Sequence, residues 1–144
     1  MKKTHRSVVS AVTNTKENDM KTEELLAKAR KRIENEDNWC KGYAAMDRNG
    51  LFITPTGSPA VSWCAMGAIR RESSVHYGRM YLDRYRRYTK ENVAVLKARK
   101  ALVDVLPEKF VVLSRYNDHP ETTHAEILEL FDRAIEAEAA NKGE

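Results

Sequence analysis

The stretch from Ser58 to Arg71 constrains the fold more than any other part of this chain, because it is apolar almost throughout. Between Pro59 and Ile69 only Ser62 is clearly polar. Ser58 before Pro59 is typical of a helix start, since a serine hydroxyl caps free amides and proline is tolerated in the first turn. A helix that is apolar on nearly all sides must be buried. The sequence therefore predicts a buried central helix over residues 58–71.

A strip of small residues follows one side of this predicted helix, formed by Ala60, Cys64, Gly67 and Ala68. Glycine in a helix interior costs about 1 kcal/mol relative to alanine, so Gly67 indicates a packing requirement. We expect another helix to approach closely at this strip. Cys64 is then buried in the contact and chemically inert.

Two helical patterns flank the central stretch. A first helix begins with Thr22 as its capping residue and ends near residues 36–38, with acidic residues in its first turn. A third helix spans Val75–Tyr88, where four tyrosines share one face. The first helix has an apolar stripe that consists of Leu25, Leu26, Ala29 and Ile33.

Two more helices complete the prediction. The fourth runs from Thr89 to Leu106, where Pro107 stops it. The last begins at a capping box formed by Thr123 and Glu126. Their apolar stripes consist of Val95, Leu96, Leu102, Val103, Leu106, Ile127, Leu128, Leu130, Phe131, Ala134 and Ile135.

The connecting segments carry turn signals and short apolar runs. Asn49-Gly50 suggests a hairpin tip in a loop with two short strands at most. Phe110–Ser114 is predicted to be a strand or an extended buried connector, followed by a turn at Tyr116–Pro120. The prediction is a mainly α fold, a single compact domain of about five helices over residues 21–141. It has a short irregular or β segment after the first helix, and residues 1–20 form a flexible N-terminal segment.

Composition narrows the class of protein. With 144 residues, 42% of them apolar and 32% charged, the chain is typical of one soluble globular domain. It has no apolar run of about 18 residues, so no membrane span is expected. The basic, polar N-terminus does not resemble a secretory signal. Two cysteines without an export signal fit a reducing cytoplasm better than a disulfide scaffold.

The formal net charge of +4 conceals two oppositely charged segments. Residues 70–100 contain ten Lys and Arg against three Asp and Glu, a balance of +7. Residues 117–144 contain two against eight, a balance of −6. The two segments could attract each other within one chain or between two, so we expect a homodimer as one outcome. Alternatively, both are ordinary solvated faces.

Three short patterns carry a family resemblance: Trp39-Cys-Lys-Gly42, Trp63-Cys-Ala-Met-Gly-Ala68, and Tyr116-Asn-Asp118 followed by the capping box. In order and spacing they resemble a functionally uncharacterised family of small bacterial and bacteriophage proteins, over roughly Glu24 to Ala139. Tyr116 stands where that family usually carries Trp. The resemblance implies a fold unit and a bacterial or phage setting, and it supplies no mechanism.

The polar residues could form two kinds of reactive site, a thiol nucleophile or a zinc site. Cys64 with His119 or His124, oriented by Asn117 or Asp118, contains the ingredients of a thiol nucleophile and its base. Such a thiol has to be exposed and activated, whereas Cys64 lies in the most apolar stretch. A zinc site would use Cys40, Cys64, His119 and His124, but its two cysteines are 24 positions apart and not a clustered pair. We therefore expect neither a metal nor a cofactor.

A ligand pocket and a basic surface are the two candidate binding sites. The pocket would be lined by Trp39, Trp63, Tyr116, Asn117 and Asp118, although tryptophans more often anchor a core and Asx residues more often cap a turn. The basic surface would combine the arginines of the tyrosine-bearing helix with neighbouring cations. Its members are Arg70, Arg71, Arg79, Arg84, Arg86, Arg87, Lys97 and Lys100.

These observations favour a non-enzymatic binding protein in the bacterial cytoplasm. We expect a phage or mobile-element accessory protein that inhibits or sequesters a host (defence) component. Its anionic partner would be an acidic protein surface, a nucleic acid or a nucleotide-like ligand, because Arg binds carboxylates and phosphates alike. The alternative is a cysteine-dependent enzyme that uses Cys64 with His119 or His124.

Overall fold

The structure is a computed structural model that describes residues 19–77 and 90–142. Its mainly helical fold has five helices within these ranges and a small sheet after the first helix, as predicted. The helices are α1 (Thr22–Arg32), α2 (Ala65–Tyr77), α3 (Lys90–Asp104), α4 (Leu113–Asp118) and α5 (His124–Lys142). A 3-10 turn at Glu36–Asn38 follows α1, and the strands are β1 (Ala45–Met46) and β2 (Ser62–Trp63).

Helix α1 follows the predicted apolar stripe, whose four residues are all buried. Glu23 and Glu24 lie in its first turn and three basic residues in its last, an arrangement that the helix dipole favours. The predicted cap at Thr22 is wrong, because Lys21 is the N-cap and no side chain caps it. The helix ends at Arg32, before the predicted boundary, and Asn35 then opens the 3-10 turn by accepting the Asp37 N–H.

The predicted start of the central helix at Ser58 is wrong. Ser62 and Trp63 form β2, which pairs antiparallel with β1. Helix α2 begins only at Ala65, whose N–H donates to Asn117 Oδ1 at 3.0 Å. One free amide of the first turn therefore receives a cap from a residue 52 positions away, and the local Ser-Pro signal is overridden.

Helix α2 also continues further than predicted. It runs without a break through Val75 to Tyr77, so Val75 does not begin a separate helix. The remainder of the predicted third helix, with Tyr81, Tyr85 and Tyr88, lies outside the described residues. Tyr77 contributes to the fold, since its hydroxyl accepts the N–H of Met20 at 2.8 Å.

Gly67 lies at a close approach, but its neighbour is not a helix. A Cβ added there would lie 1.9 Å from the carbonyl oxygen of Ala44, in the segment leading into β1. The Cys64 N–H donates to that same carbonyl at 3.1 Å, which fixes the separation of the two backbones. The close neighbour of Gly67 is therefore the segment before β1, and not the helix that the small-residue strip predicted.

The C-terminal half combines confirmed and corrected predictions. The capping box of α5 is present, since the Thr123 N–H donates to Glu126 Oε1 at 2.9 Å and the Glu126 N–H donates to Thr123 Oγ1 at 3.2 Å. Phe110–Ser114 does not form a strand: Leu113 opens α4, and Tyr116–Asp118 ends this helix where a turn was predicted. Leu113 and Tyr116 are buried together one helical turn apart, which favours the helix.

One core unites these elements into a compact domain. Helix α1 packs against α2, α3 and α5, and α3 contacts both α2 and α5. Leu96, predicted to be apolar core, is instead exposed on α3. The largest fully buried apolar side chains are Phe131, Leu25, Leu26, Ile33, Ile69, Leu102, Ile127 and Leu130. Across residues 19–77 and 90–142, no helix is both long enough and apolar enough to cross a bilayer.

Candidate functional site

The side chain of Asn117 connects the three sequence patterns. Its Oδ1 accepts the indole Nε1–H of Trp39 at 2.9 Å and the backbone N–H of Ala65 at 3.0 Å. Its Nδ2 donates to the carbonyl of Cys40 at 3.1 Å and to Asp118 Oδ1 at 2.9 Å. Asn117 is only 1% exposed, so these four bonds use the full capacity of a buried amide. We call this set of contacts the Asn117 clamp.

Asp118 and Lys41 extend the clamp to the turn after Trp39. Asp118 Oδ1 also accepts the N–H of Gly42 at 2.9 Å, and Gly42 has a φ of 88° that favours glycine. The Lys41 Nζ donates to the His119 carbonyl at 2.7 Å, beyond the end of α4. The turn at residues 39–42 and the end of α4 are thus joined by both side-chain and backbone groups.

The two tryptophans of the predicted pocket are packed against protein groups. Trp63 is buried, its Nε1–H donates to the Pro55 carbonyl at 3.0 Å, and two guanidinium groups lie near its ring. These belong to Arg32 and Arg71, 5.0 and 5.5 Å from the ring centroid. Of the predicted pocket residues, Trp39 and Asp118 are therefore both bonded to Asn117. Trp63 instead bonds Pro55 and lies near two cations.

Arg71, one of the predicted partner-binding residues, is held inside this arrangement. Its Nη1 donates to the carbonyls of Pro55 and Gly57 at 3.2 and 2.8 Å. Burial and the nearby Arg32 charge lower the pKa of Arg71, and the smaller effect of Glu72 raises it. Through Nη1 the guanidinium holds the loop of Pro55 and Gly57 beside Trp63.

Both cysteines are buried free thiols. The Cys64 Sγ accepts the Gly67 N–H at 3.3 Å, and the Cys40 Sγ donates to the Tyr43 carbonyl at 3.4 Å. Burial raises the pKa of Cys64 and raises that of Cys40 from its ordinary value of 9.0 to about 11. Both shifts disfavour the thiolate that a nucleophile requires.

Neither histidine of the alternative enzyme hypothesis forms a hydrogen bond with Cys64. The His119 Nδ1 accepts the Glu121 N–H at 3.2 Å, while its ring packs against Phe110. The His124 Nε2 lies 2.6 Å from the Ile33 carbonyl, and its ring packs against Trp39. Within the part of the chain that the structure describes, no three His, Cys, Asp or Glu side chains are grouped to hold a metal.

We expect slow alkylation of Cys40 and Cys64 in the native protein at pH 7.5, because both thiols are buried and protonated. The rate for Cys40 should rise about tenfold per pH unit toward its pKa of about 11. Because folding raises this pKa, the contribution of Cys40 to stability is complete below pH 9 and declines as pH rises toward about 11. Mass spectrometry of iodoacetamide-treated protein measures the rates; rapid native labelling at pH 7.5 would contradict the burial of these thiols.

Apart from Arg71, the cations predicted to form the basic surface divide into three groups. Arg70 and Lys97 are exposed, on α2 and α3. Lys100 donates to Asp104 at 2.8 Å, and that contact raises its pKa, with a smaller effect from Glu138 on α5. Lys100 of the basic segment therefore lies near Glu138 of the acidic segment, although its ion pair is with Asp104. The other four predicted residues, Arg79, Arg84, Arg86 and Arg87, lie outside the described residues.

An open groove beside α4 was missed by the sequence analysis. It has a volume of about 750 Å³, and we call it the α4 groove. Val111 is 79% exposed, and Lys109 lies with its Nζ 5.5 Å from the Phe110 ring. In the described ranges, Lys109 and Arg115 form no ion pair. The lining residues are Lys109, Phe110, Val111, Val112, Ser114, Arg115, Asp118 and His119.

A detectable signal for this groove was present in the sequence. Lys109 and Arg115 bracket the apolar run that we interpreted as a buried connector. That interpretation assumed that consecutive β-branched residues are buried, whereas Val111 and Val112 precede α4 on the surface. Basic residues on both sides of an apolar run are also consistent with an exposed binding segment.

The fold and this site define a small helical domain whose most distinctive polar residues stabilise its own interior. In the described part of the chain, the groups proposed for a thiol enzyme are not assembled. The α4 groove is one open, cation-lined feature, and a second, lined in part by Lys97 and Lys100, lies between α3 and α5. The chain belongs to the family of unknown function DUF6197, which matches residues 17–137. Comparison with curated proteins and with solved structures gives no match.

Proposed function

We propose that this protein is a non-enzymatic binding protein that engages an acidic, partly apolar protein surface through the α4 groove. The observation that carries the proposal is the pair of cations, Lys109 and Arg115, placed around exposed Val111 and Val112. Apolar contact supplies binding free energy at such a surface, and charge sets the partner's sign and the association rate.

The charges around the groove favour an acidic protein over a nucleic acid. Asp118 lines the groove. The exposed carboxylate of Glu126 lies near Lys109 and Lys41. Its pKa is lowered mainly by its bonds to Thr123 and to a smaller extent by these two lysines. Protein surfaces that bind nucleic acids are much more uniformly positive, because the phosphates of the nucleic acid repel carboxylates. A protein partner can place its acidic groups opposite Lys109 and Arg115 and its apolar groups on the valines.

The biological setting is part of the proposal. The resemblance to small bacterial and bacteriophage proteins supports a phage or mobile-element accessory protein in the bacterial cytoplasm. Its role would be to sequester or inhibit a host component, with host defence as the leading class. A domain that binds without chemistry performs such a role by occupying its partner's surface.

Matched charge reversals test the groove. We compare capture from bacterial lysate, split into nuclease-treated and untreated halves, by the wild type, K109E/R115E and K28E/K31E. Lys28 and Lys31 are exposed on α1, so the second variant makes the same charge change elsewhere. We expect the wild type and K28E/K31E to capture a protein in both halves and K109E/R115E to lose it. Capture confined to the untreated half indicates a nucleic acid and contradicts the acidic-protein proposal.

The basic helix predicted from the sequence provides a competing location for the same function. Reversing Arg84 and Arg87 to Glu is expected to abolish binding if that helix forms the interface, with a melting temperature within a few degrees of the wild type. The same capture assay decides between the surfaces. Loss in R84E/R87E with full binding by K109E/R115E would move the site from the α4 groove to residues 79–87.

A further inference from the structure

The small sheet has an outer strand that no described element covers. Residues 51–54 run antiparallel to β1, with a bridge between Met46 and Phe52. The Ile53 N–H donates to the Ala45 carbonyl at 3.1 Å, and the Asp47 N–H donates to the Leu51 carbonyl at 2.9 Å. On its far side β1 pairs with β2, so residues 51–54 form the edge of the sheet.

The backbone N–H and C=O of Phe52 point away from β1. In an antiparallel ladder the N–H and C=O of one residue point to the same side, and successive residues alternate. Leu51 and Ile53 bond inward to β1, so both groups of Phe52 face outward. Within residues 19–77 and 90–142, neither group of Phe52 takes part in a backbone hydrogen bond outside the regular elements.

The side chains around this edge are large, apolar and exposed. Leu51 and Phe52 are 63% and 65% exposed, and Tyr43 is 51% exposed. The rings of Tyr43 and Phe52 stack with their centroids 5.7 Å apart. Natural sheets usually protect an edge with charges, proline or a covering element, because an open edge pairs with another chain. Here the edge carries aromatic and aliphatic side chains.

We propose that this edge binds the same edge of a second copy of the chain, across a two-fold axis at Phe52. When two identical strands pair antiparallel, one residue lies opposite itself and exchanges two hydrogen bonds with its counterpart. A single residue with both backbone groups facing outward is sufficient for this arrangement. The same symmetry brings the two Tyr43–Phe52 stacks together, and aromatic cross-strand pairs stabilise sheets.

Self-pairing fits this edge better than addition of a long foreign peptide. A peptide added to a sheet gains affinity from a row of main-chain hydrogen bonds. This outer strand is short: the Thr54 carbonyl already accepts the Gly57 N–H in a turn, and Pro55 follows directly. Two-fold pairing uses each outward group of Phe52 once and also doubles the aromatic contact. Few large side chains take part, so the interface is small and the dimer is in equilibrium with monomer.

Sedimentation and amide exchange test this dimer independently of the proposed function. We compare the wild type, Phe52→Lys and Leu96→Lys at concentrations up to about 1 mM, which reaches the weak end of measurable affinities. Leu96→Lys is the control, because it changes an exposed leucine on α3, away from the edge. We expect the wild type and Leu96→Lys to dimerise and Phe52→Lys to remain monomeric, because two lysines would face each other. Melting curves check that each variant is folded.

Hydrogen exchange of the wild type supplies a second measurement that needs no substitution. Protection of the Phe52 amide should increase with protein concentration, whereas the Ile53 amide, already bonded to Ala45, should not change. A monomer at all concentrations overturns the proposal. So does a dimer that persists in Phe52→Lys, or one whose formation leaves the Phe52 amide unprotected, since the contact then lies elsewhere.

Discussion

Replacing Asn117 by alanine is expected to destabilise this protein by on the order of 3–5 kcal/mol. The change removes the partner of the buried Ala65 N–H and Cys40 carbonyl and of the partly buried Trp39 indole N–H. An unsatisfied buried polar group costs about 1–3 kcal/mol, and α2 also loses its cap. Such a loss should lower the melting temperature by roughly 10 °C or more.

Ser114→Ala provides the matched control for this substitution. Ser114 lies on the same short helix and is exposed, so its replacement should change stability by no more than about 0.5 kcal/mol. Chemical denaturation followed by circular dichroism measures both variants. If Asn117→Ala unfolds like Ser114→Ala, the amide does not connect residues 39–42, α2 and α4, and the clamp is wrong.

Replacing Gly67 by alanine is expected to cost about 3 kcal/mol or more, the upper part of the range for overpacking. In an open helix the same change would gain up to about 1 kcal/mol. Here the new Cβ would lie 1.9 Å from a backbone oxygen, that of Ala44, which cannot rotate away. Helix α2 would have to separate from the segment before β1 and weaken the Cys64–Ala44 hydrogen bond.

Gly50→Ala separates steric conflict from the conformational cost of losing a glycine. Gly50 has a φ of 79°, but its nearest contact would be the flexible end of Met46 at 3.8 Å. We expect a loss of about 1–2 kcal/mol there, from the backbone conformation alone. Thermal unfolding of both variants decides the point; a Gly67→Ala variant as stable as the wild type would show that α2 and Ala44 are not in contact.

Asn117→Ala and Gly67→Ala both test whether the three sequence patterns serve to hold the fold together. Each pattern supplies a part whose partner belongs to another pattern: Trp39 and Asn117 bond each other, and Asn117 caps the helix that contains Gly67. Because the residues of the three patterns bond one another, their role is to hold the fold together. Function is therefore better sought on exposed residues that the patterns do not include, such as Lys109, Val111 and Arg115 of the α4 groove.

The sequence alone determined the helices whose signals are local. The stripe of α1 and the apolar face of α5 repeat at the helical period, and Thr123 and Glu126 satisfy each other's amides within one turn. The Asn49-Gly50 hairpin tip is equally local, because glycine readily adopts the positive φ observed at Gly50. Each of these features depends on residues only a few positions apart.

Tertiary structure decided where α2 begins, what Gly67 contacts and which surface is open. Ser62 and Trp63 become a strand because β1 offers backbone partners, and Ala65 becomes the helix start because Asn117 offers an oxygen. The close approach at Gly67 could be predicted from a glycine in a helix, but not the identity of its neighbour, Ala44. These outcomes depend on hydrogen bonds and contacts between residues distant in sequence, which local propensity cannot encode.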